Sequence, residues 1–222
     1  LEGLKITIKL FVVTLVLSLP LGLLISLFKE AVSKRPTDNF VIRWIVKMPI
    51  RFIINVYLWV FRGTPLLLQL FFFYFGLTYV TLPNGESITL SMFTAAVISF
   101  VLNYAAYFAE IFRSGIQSIP AGQYEAAKVL GYTKTQTFFY VILPQVVKRV
   151  LLPMTNEIIT LIKDTALAST VAVVELMTIA KKQVSSSSSI EPYLLAIVFY
   201  LVLNGVAEQL CKLAEKKLSY YR

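Results

Sequence analysis

Histidine is absent from all 222 residues, and cysteine occurs once, at Cys211. Disulfide frameworks, the usual zinc sites and nucleophile pairs of the Ser-His or Cys-His kind are thereby excluded. No stretch reads G-x-x-x-x-G-K-[ST], so the chain shows no P-loop for ATP. Charge is also scarce, at 15% of residues against 57% hydrophobic, and the mean hydropathy is +0.74. That is the composition of a membrane protein. Acidic residues are outnumbered 12 to 21 by Lys and Arg, for a formal charge of +9. Such a charge suits nucleic acid, but a membrane protein also gathers basic residues in its cytoplasmic loops, so location decides between the two.

What is present is a series of long apolar runs. Lys5 and Lys9 precede the first, in the manner of a signal peptide, but no alanine occurs before Ala31 to supply an A-x-A-like cleavage site. The run is therefore expected to be a retained transmembrane helix. Spans are expected at about 4–28, 52–80, 89–112, 146–179 and 193–211, each long enough for a bilayer that needs roughly 20 apolar residues. The second is interrupted by Arg62-Gly63-Thr64-Pro65 and the fourth is broken around Lys163-Asp164-Thr165. Between the first two spans, 40–47 mixes apolar and basic residues around Trp44, as an interfacial helix does. The stretch 81–87 is turn-rich, and the serines of 185–189 are expected to form a flexible loop. The fold class expected is all-α integral membrane, one transmembrane domain over 1–222 with five helices.

The basic residues set its sidedness. With the N-terminus outside, Lys29, Lys34, Arg35, Arg43, Lys47 and Arg51 fall in the cytoplasm, as do Arg113, Lys128, Lys134, Lys148, Arg149 and the basic tail. The outer side keeps Lys5, Lys9, Lys181 and Lys182. The positive-inside rule selects this orientation, with a cytoplasmic C-terminus and a cytoplasmic loop at 114–145. No nucleic acid is then needed to explain the charge.

That loop has its own grammar. Pro120 suits a first helical turn, 121–130 are mostly good helix formers, and Gly131 supplies a left-handed ending. Thr133 with Gln136 three residues on fits a capping box that starts a second helix. A helix, a glycine turn and a helix suit docking into a groove. Glu125-Ala126-Ala127, then Gly131, Val141 and Leu143-Pro144, resemble the EAA loop of membrane subunits of bacterial ABC importers. The resemblance implies that Glu125, Ala126, Ala127 and Gly131 belong to a coupling helix, docked on a separate ATPase present in two copies. It also implies a non-enzymatic subunit of the bacterial cell membrane, paired with a second permease subunit, expected as a homodimer. An extracellular amino acid-binding protein would deliver the solute. No cofactor is expected in this chain; ATP and magnesium would sit on the partner ATPase.

Two further stretches, 62–69 and 103–116, with Leu161-Ile162-Lys163-Asp164-Thr165 and Leu167, resemble the polar amino acid branch of these permeases, the histidine, arginine and glutamine types. Ala166 departs from the serine expected there. Physical reasoning points to the same region. Arg62, Glu110, Glu157, Lys163 and Asp164 lie in or near apolar segments, where each costs about 2.5 to 3.5 kcal/mol at a helix centre unless it faces a partner, water or a solute. Asn103, Tyr107 and Glu110 share one face of the third helix, and Glu157 and Asp164 share one of the fourth. Broken helices at Thr64-Pro65 and Asp164-Thr165 free backbone groups for a zwitterion.

The solute-binding candidates are Glu110 and Asp164, then Asn103, Glu157 and Thr64. Three carboxylates against Arg62 and Lys163 give a mildly anionic site. The function expected is the transmembrane subunit of an ATP-driven importer of polar amino acids, favouring arginine, lysine or histidine, working by alternating access. The alternatives are an importer of glutamine or another polar amino acid, a cation channel, or an intramembrane enzyme.

Overall fold

The first apolar run folds as α1 (Glu2–Ser33), whose 32 residues span about 48 Å at 1.5 Å per residue, more than a bilayer core requires. The computed structural model to which it belongs describes residues 1–33, 47–83 and 85–218; the interfacial helix expected at 40–47 lies outside them, except for Lys47. One side of α1 carries Gly3, Thr7, Leu10, Thr14, Ser18, Gly22 and Ser26, all buried and spaced three or four apart. Small residues at this period let two helices approach closely where lipid offers no hydrophobic drive. The helix they approach is α4 (Met92–Gln117).

α4 is the centre of the bundle. Ser91 caps it by accepting from the Thr94 amide at 3.1 Å, and Ala95, Ala96, Phe100, Tyr104, Ala105, Phe108 and Ala109 are buried along it. Phe100, Tyr104 and Phe108 share the core with Leu10, Leu70, Leu161 and Val171. α9 (Glu191–Leu218) is the opposite case: Leu194, Ile197, Leu201 and Leu210 are each more than half exposed. Apolar side chains turned outward suit hydrocarbon surroundings.

Among the described residues four helical segments are long and apolar enough to cross a membrane, Glu2–Val32, Met92–Gln117, Lys134–Val171 and Glu191–Lys217. A fifth requires α2 (Met48–Gly63) and α3 (Leu66–Tyr74) to count as one span, although a bend of 107° separates α2 from the Leu66–Tyr79 segment. The interruption expected within 52–80 is thus a sharp corner, because Pro65 lacks an amide hydrogen and forces Thr64 into extended backbone at φ −117, ψ 147. After Tyr79 the chain makes the expected turn, closed by a Thr81–Ser87 bridge with Gly85 at φ 84.

The fourth span begins earlier than expected. After α5 (Ala121–Val129) and the one-turn α6 (Lys134–Gln136), a π-turn at Thr137–Ile142 leads without a break into α7 (Leu143–Asp164). The second helix of the loop is therefore the foot of the fourth span. The break at Asp164 is present: the chain tightens into a 3₁₀ segment, Thr165–Val171, then passes left-handed Ala172 to enter α8 (Leu176–Ser187). α8 takes in the first three serines of 185–189, which are helical and not loop, and the helix ends at left-handed Ser188.

The α1–α4 seam can be tested by volume. A Cβ at Gly22 would lie 2.8 Å from Phe108 Cβ and 2.9 Å from the Ala105 carbonyl oxygen, whereas Gly205 has nothing within 4 Å. Gly22→Ala should cost about 1–3 kcal/mol through overpacking, and Gly205→Ala should cost nothing measurable. Thermal unfolding of the detergent-solubilised protein distinguishes the two.

Candidate functional site

The corner between α2 and α3 is held by two amides. Gln69, one turn into α3, donates through Nε2 to the Phe61 carbonyl at 3.0 Å, the Thr64 carbonyl at 3.1 Å and Thr64 Oγ1 at 2.8 Å. Asn103 of α4 donates to the same Phe61 carbonyl at 2.9 Å and to Gln69 Oε1 at 3.0 Å. Carbonyls released by the break are thus answered by side chains, as an apolar medium requires. Sequence reasoning left the carbonyls of this break available to a solute; Phe61 and Thr64 have theirs engaged. Asn103 is 5% exposed and committed to the corner, while Thr64 is exposed beside it.

Glu110 is the most heavily paired carboxylate. Lys29 of α1 donates to Oε1 at 2.6 Å, Arg113 donates twice to Oε2 at 2.8 and 2.6 Å, and Arg62 of α2 stands 3.9 Å from the same oxygen. One anion therefore ties three helices. The helix-end pair with Arg113 that the i, i+3 spacing permits is formed, and Lys29 is a partner that no local pattern in the sequence pointed to. Tyr107 joins the same face, with its ring 5.6 Å beneath the Arg62 guanidinium.

Across from Arg62 lies the other pair of acids. Tyr104 donates its hydroxyl to Asp164 Oδ2 at 2.8 Å, and its ring lies 6.5 Å from that of Tyr107. Glu157, one face of α7 with Asp164, is within electrostatic reach of Asp164 and of Arg62. Neither Glu157 nor Asp164 has a cation at ion-pair distance among the described residues, in contrast to Glu110. Lys163, which sequence reasoning counted with the site, is exposed. The structure thus divides the five candidates: Asn103 and Thr64 at the corner, Glu110 in its cation cluster, Glu157 and Asp164 together beyond two tyrosines.

The helix expected at 121–130 forms as α5, preceded by Pro120 at φ −59, ψ 142. Gly131 takes φ 77, and the amides of Gly131 and Tyr132 reach back to the Lys128 and Ala127 carbonyls, each at 3.0 Å. These are the two bonds of a Schellman ending. The capping box at Thr133 and Gln136 is complete. Ala127 is buried at 2%, while Glu125 and Ala126 are exposed and Val129 and Leu130 project at 87% and 72%. An apolar tip on a rigid turn is a docking shape.

One residue had no motif to announce it. Glu175, the N-cap of α8, is fully buried and accepts from two amides.

Residues 46–220 match the family described as binding-protein-dependent transport system inner membrane component. The chain is 36% identical to the arginine transport system permease protein of Bacillus subtilis over 98% of its length and 91% of that protein. It is 35% identical to a putative glutamine transport system permease protein of Rickettsia typhi, with the same coverages. The crystal structure of an amino acid ABC transporter with histidines aligns at TM-score 0.80 and 33% identity, covering 97% of this chain and 92% of that one.

The Glu110 cluster makes a prediction independent of solute. Glu110→Gln leaves Lys29 and Arg113 without their anion, so the solubilised protein should lose about 2 kcal/mol of stability. Adding Lys29→Met should recover part of the loss. A melting temperature unmoved by Glu110→Gln would deny the cluster its structural role.

Proposed function

This chain belongs to the family of binding-protein-dependent transport system inner membrane components, and from that premise we propose that it carries a cationic amino acid past Glu157 and Asp164. It is a permease subunit of an amino acid ABC importer, a multi-pass membrane protein without enzymatic activity of its own. ATP is hydrolysed on a partner chain, and a solute-binding protein completes the system.

The pairing of Glu157 and Asp164 carries the reading. Two carboxylates on one helix face, without an ion-pair cation, repel one another and gain from a cation placed between them. A solute ammonium or guanidinium answers both. Arg62, 3.9 Å from its nearest carboxylate oxygen and half-exposed, stands ready on the far side of Tyr107 and Tyr104 for the α-carboxylate. Glu110 takes part less directly, since its charge is spent on Lys29 and Arg113.

A second reading, a neutral polar amino acid such as glutamine, is favoured by the reach of Lys163 to Asp164 and of Arg62 to Glu157. Two cations against two anions suit an uncharged side chain, and one of the similar proteins is named for glutamine. Equilibrium binding to the permease–ATPase complex separates the readings. Arginine should bind more tightly than glutamine, and Asp164→Asn or Glu157→Gln should weaken arginine about tenfold or more while sparing glutamine. Tighter glutamine binding, unaffected by either substitution, would transfer the conclusion to the second reading.

The drive is alternating access. In the proposed arrangement two copies of this chain pair with N-termini outside, and each sets its α5 into a cleft of an ATPase that holds ATP and magnesium. Closure of the ATPases moves α5, and α7 passes the motion to Asp164. Glu125 and Ala126 present the docking face, Ala127 anchors it, and Gly131 fixes its angle. Valine at 131 would have to adopt a left-handed conformation costing about 1–2 kcal/mol. Gly131→Val should therefore abolish solute-stimulated ATPase activity while leaving solute binding intact. Normal transport by this variant, assayed in proteoliposomes, would show that the turn is not part of the coupling.

A further inference from the structure

We propose that Gln145 and Arg149, one turn apart on α7, are positioning residues for coupling: they clamp the elbow between α4 and α5 and brace α5 at its first turn, a role that rests on the reading of α5 as the segment docked on the ATPase.

The elbow exists because α4 ends at Gln117 and Pro120, without an amide hydrogen, stands just ahead of α5. The last carbonyls of α4 lack intrahelical partners, and the negative end of its dipole lies among them. Arg149 donates through Nη1 to the Ser118 carbonyl, which sets a cation where that dipole favours one. One turn earlier on α7, Gln145 donates through Nε2 to the Val141 carbonyl at 2.8 Å and to Gln123 Oε1 at 3.1 Å. Val141 belongs to the π-turn and Gln123 to the first turn of α5. The amide has two hydrogens and meets two acceptors.

Beside these donors runs an apolar row. Ile142, Val146 and Val150 of the π-turn and α7 pack with Ile116 and Ile119, all of them buried. The approach is close: a Cβ on Gly115 of α4 would stand 2.3 Å from Val150 Cγ1. The foot of the fourth span therefore meets the elbow with methyl groups on one row and with donors on the next. Gln123 and Arg149 are exposed, and hydrogen bonds open to water add little to stability. What they add is position.

α5 is thereby attached to the fourth span at both ends. Its far end is joined through the chain itself, by Gly131, the Thr133–Gln136 box and the π-turn. Held there alone, α5 would swing about the glycine turn, and a push on Glu125 would be lost as rotation. With its first turn held by Gln145 as well, α5 and the foot of the fourth span close a triangle. The Arg149 bond to Ser118 adds the end of α4 to the same body.

Gln145→Leu and Arg149→Met remove the donors and keep the bulk. Each is assayed in proteoliposomes holding the permease, its ATPase and its binding protein, with L-arginine and L-glutamine each tried as solute and Gly131→Val run alongside. The ratio of solute-stimulated to unstimulated ATPase activity should fall about fivefold or more in each variant, with solute binding, complex yield and melting temperature close to those of the unsubstituted complex. Gln123→Leu should lose as much as Gln145→Leu, and the two together no more than either alone, because they remove one bond. Normal stimulation in either Gln145→Leu or Arg149→Met, with Gly131→Val uncoupled, overturns the clamp and spares the coupling role of α5. Normal stimulation in Gly131→Val as well overturns that role and the clamp with it. Losses that sum in the Gln123 and Gln145 double variant, or loss of solute binding or of the complex in Gln145→Leu and Arg149→Met, make these scaffold residues and overturn the clamp alone.

Discussion

Inside a bilayer a polar group that cannot turn to water needs an internal partner, and that need shapes the joints of this molecule. At the Thr64-Pro65 corner the carbonyls freed by proline are met by Gln69 and Asn103. The charge of Glu110 is met by Lys29 and Arg113 from two different helices. Glu175 is met by amides and hydroxyls instead of cations. These three solutions make three kinds of joint: a corner, a tie between helices, and a knot. Glu157 and Asp164 have no cation at ion-pair distance among the described residues, and it is this that the proposed solute would supply.

The same rule explains what could be read from the sequence. Local features were legible because their partners are near in the chain: the α5 helix, its glycine ending at Gly131 and the Thr133–Gln136 box depend on residues at most a few positions apart. Hydropathy pointed to the four long apolar helices, though the fourth span starts earlier than expected and the second expected span is a corner, and the helical period put Asn103, Tyr107 and Glu110 on one face, in keeping with the Arg62 and Gln69 contacts. Partners far apart in the chain were not legible. Lys29 and Glu110 are 81 residues apart, and Thr7 meets Leu176 across 169. Neither pairing leaves a periodic trace. Glu175 was passed over because one acid before a polar helix looks like a surface cap until α1 and α9 close over it. The 107° corner was read as a simple interruption, since proline predicts a break but tertiary packing fixes the angle.

The charge of the site changes accordingly. Counted along the sequence, Glu110, Glu157 and Asp164 face Arg62 and Lys163. Counted in space, Glu110 belongs to a cluster with an excess of cations, and Lys163 is exposed. The remaining anionic pair is more local than the tally implied, with Arg62 between the two regions. Arg62 stands 3.9 Å from Glu110 and within electrostatic reach of Glu157.

The mechanical side of the molecule lies at the other end of α7. From Lys134 to Asp164 the backbone is helical throughout, interrupted in hydrogen-bond pattern only by the π-turn at Thr137–Ile142. A loop in that stretch would absorb a displacement of α5, whereas a continuous helix delivers it to Asp164. The π-turn is where the hydrogen-bond pattern of the rod changes, and Phe139 and Tyr140 on it are exposed at 55% and 71%. Below it Gly131 closes α5 in a left-handed turn; above it Asp164 opens into the 3₁₀ segment Thr165–Val171. In the proposed mechanism this rod is what would carry a movement of α5 to Asp164, the end of the fourth span at which alternating access would have to act.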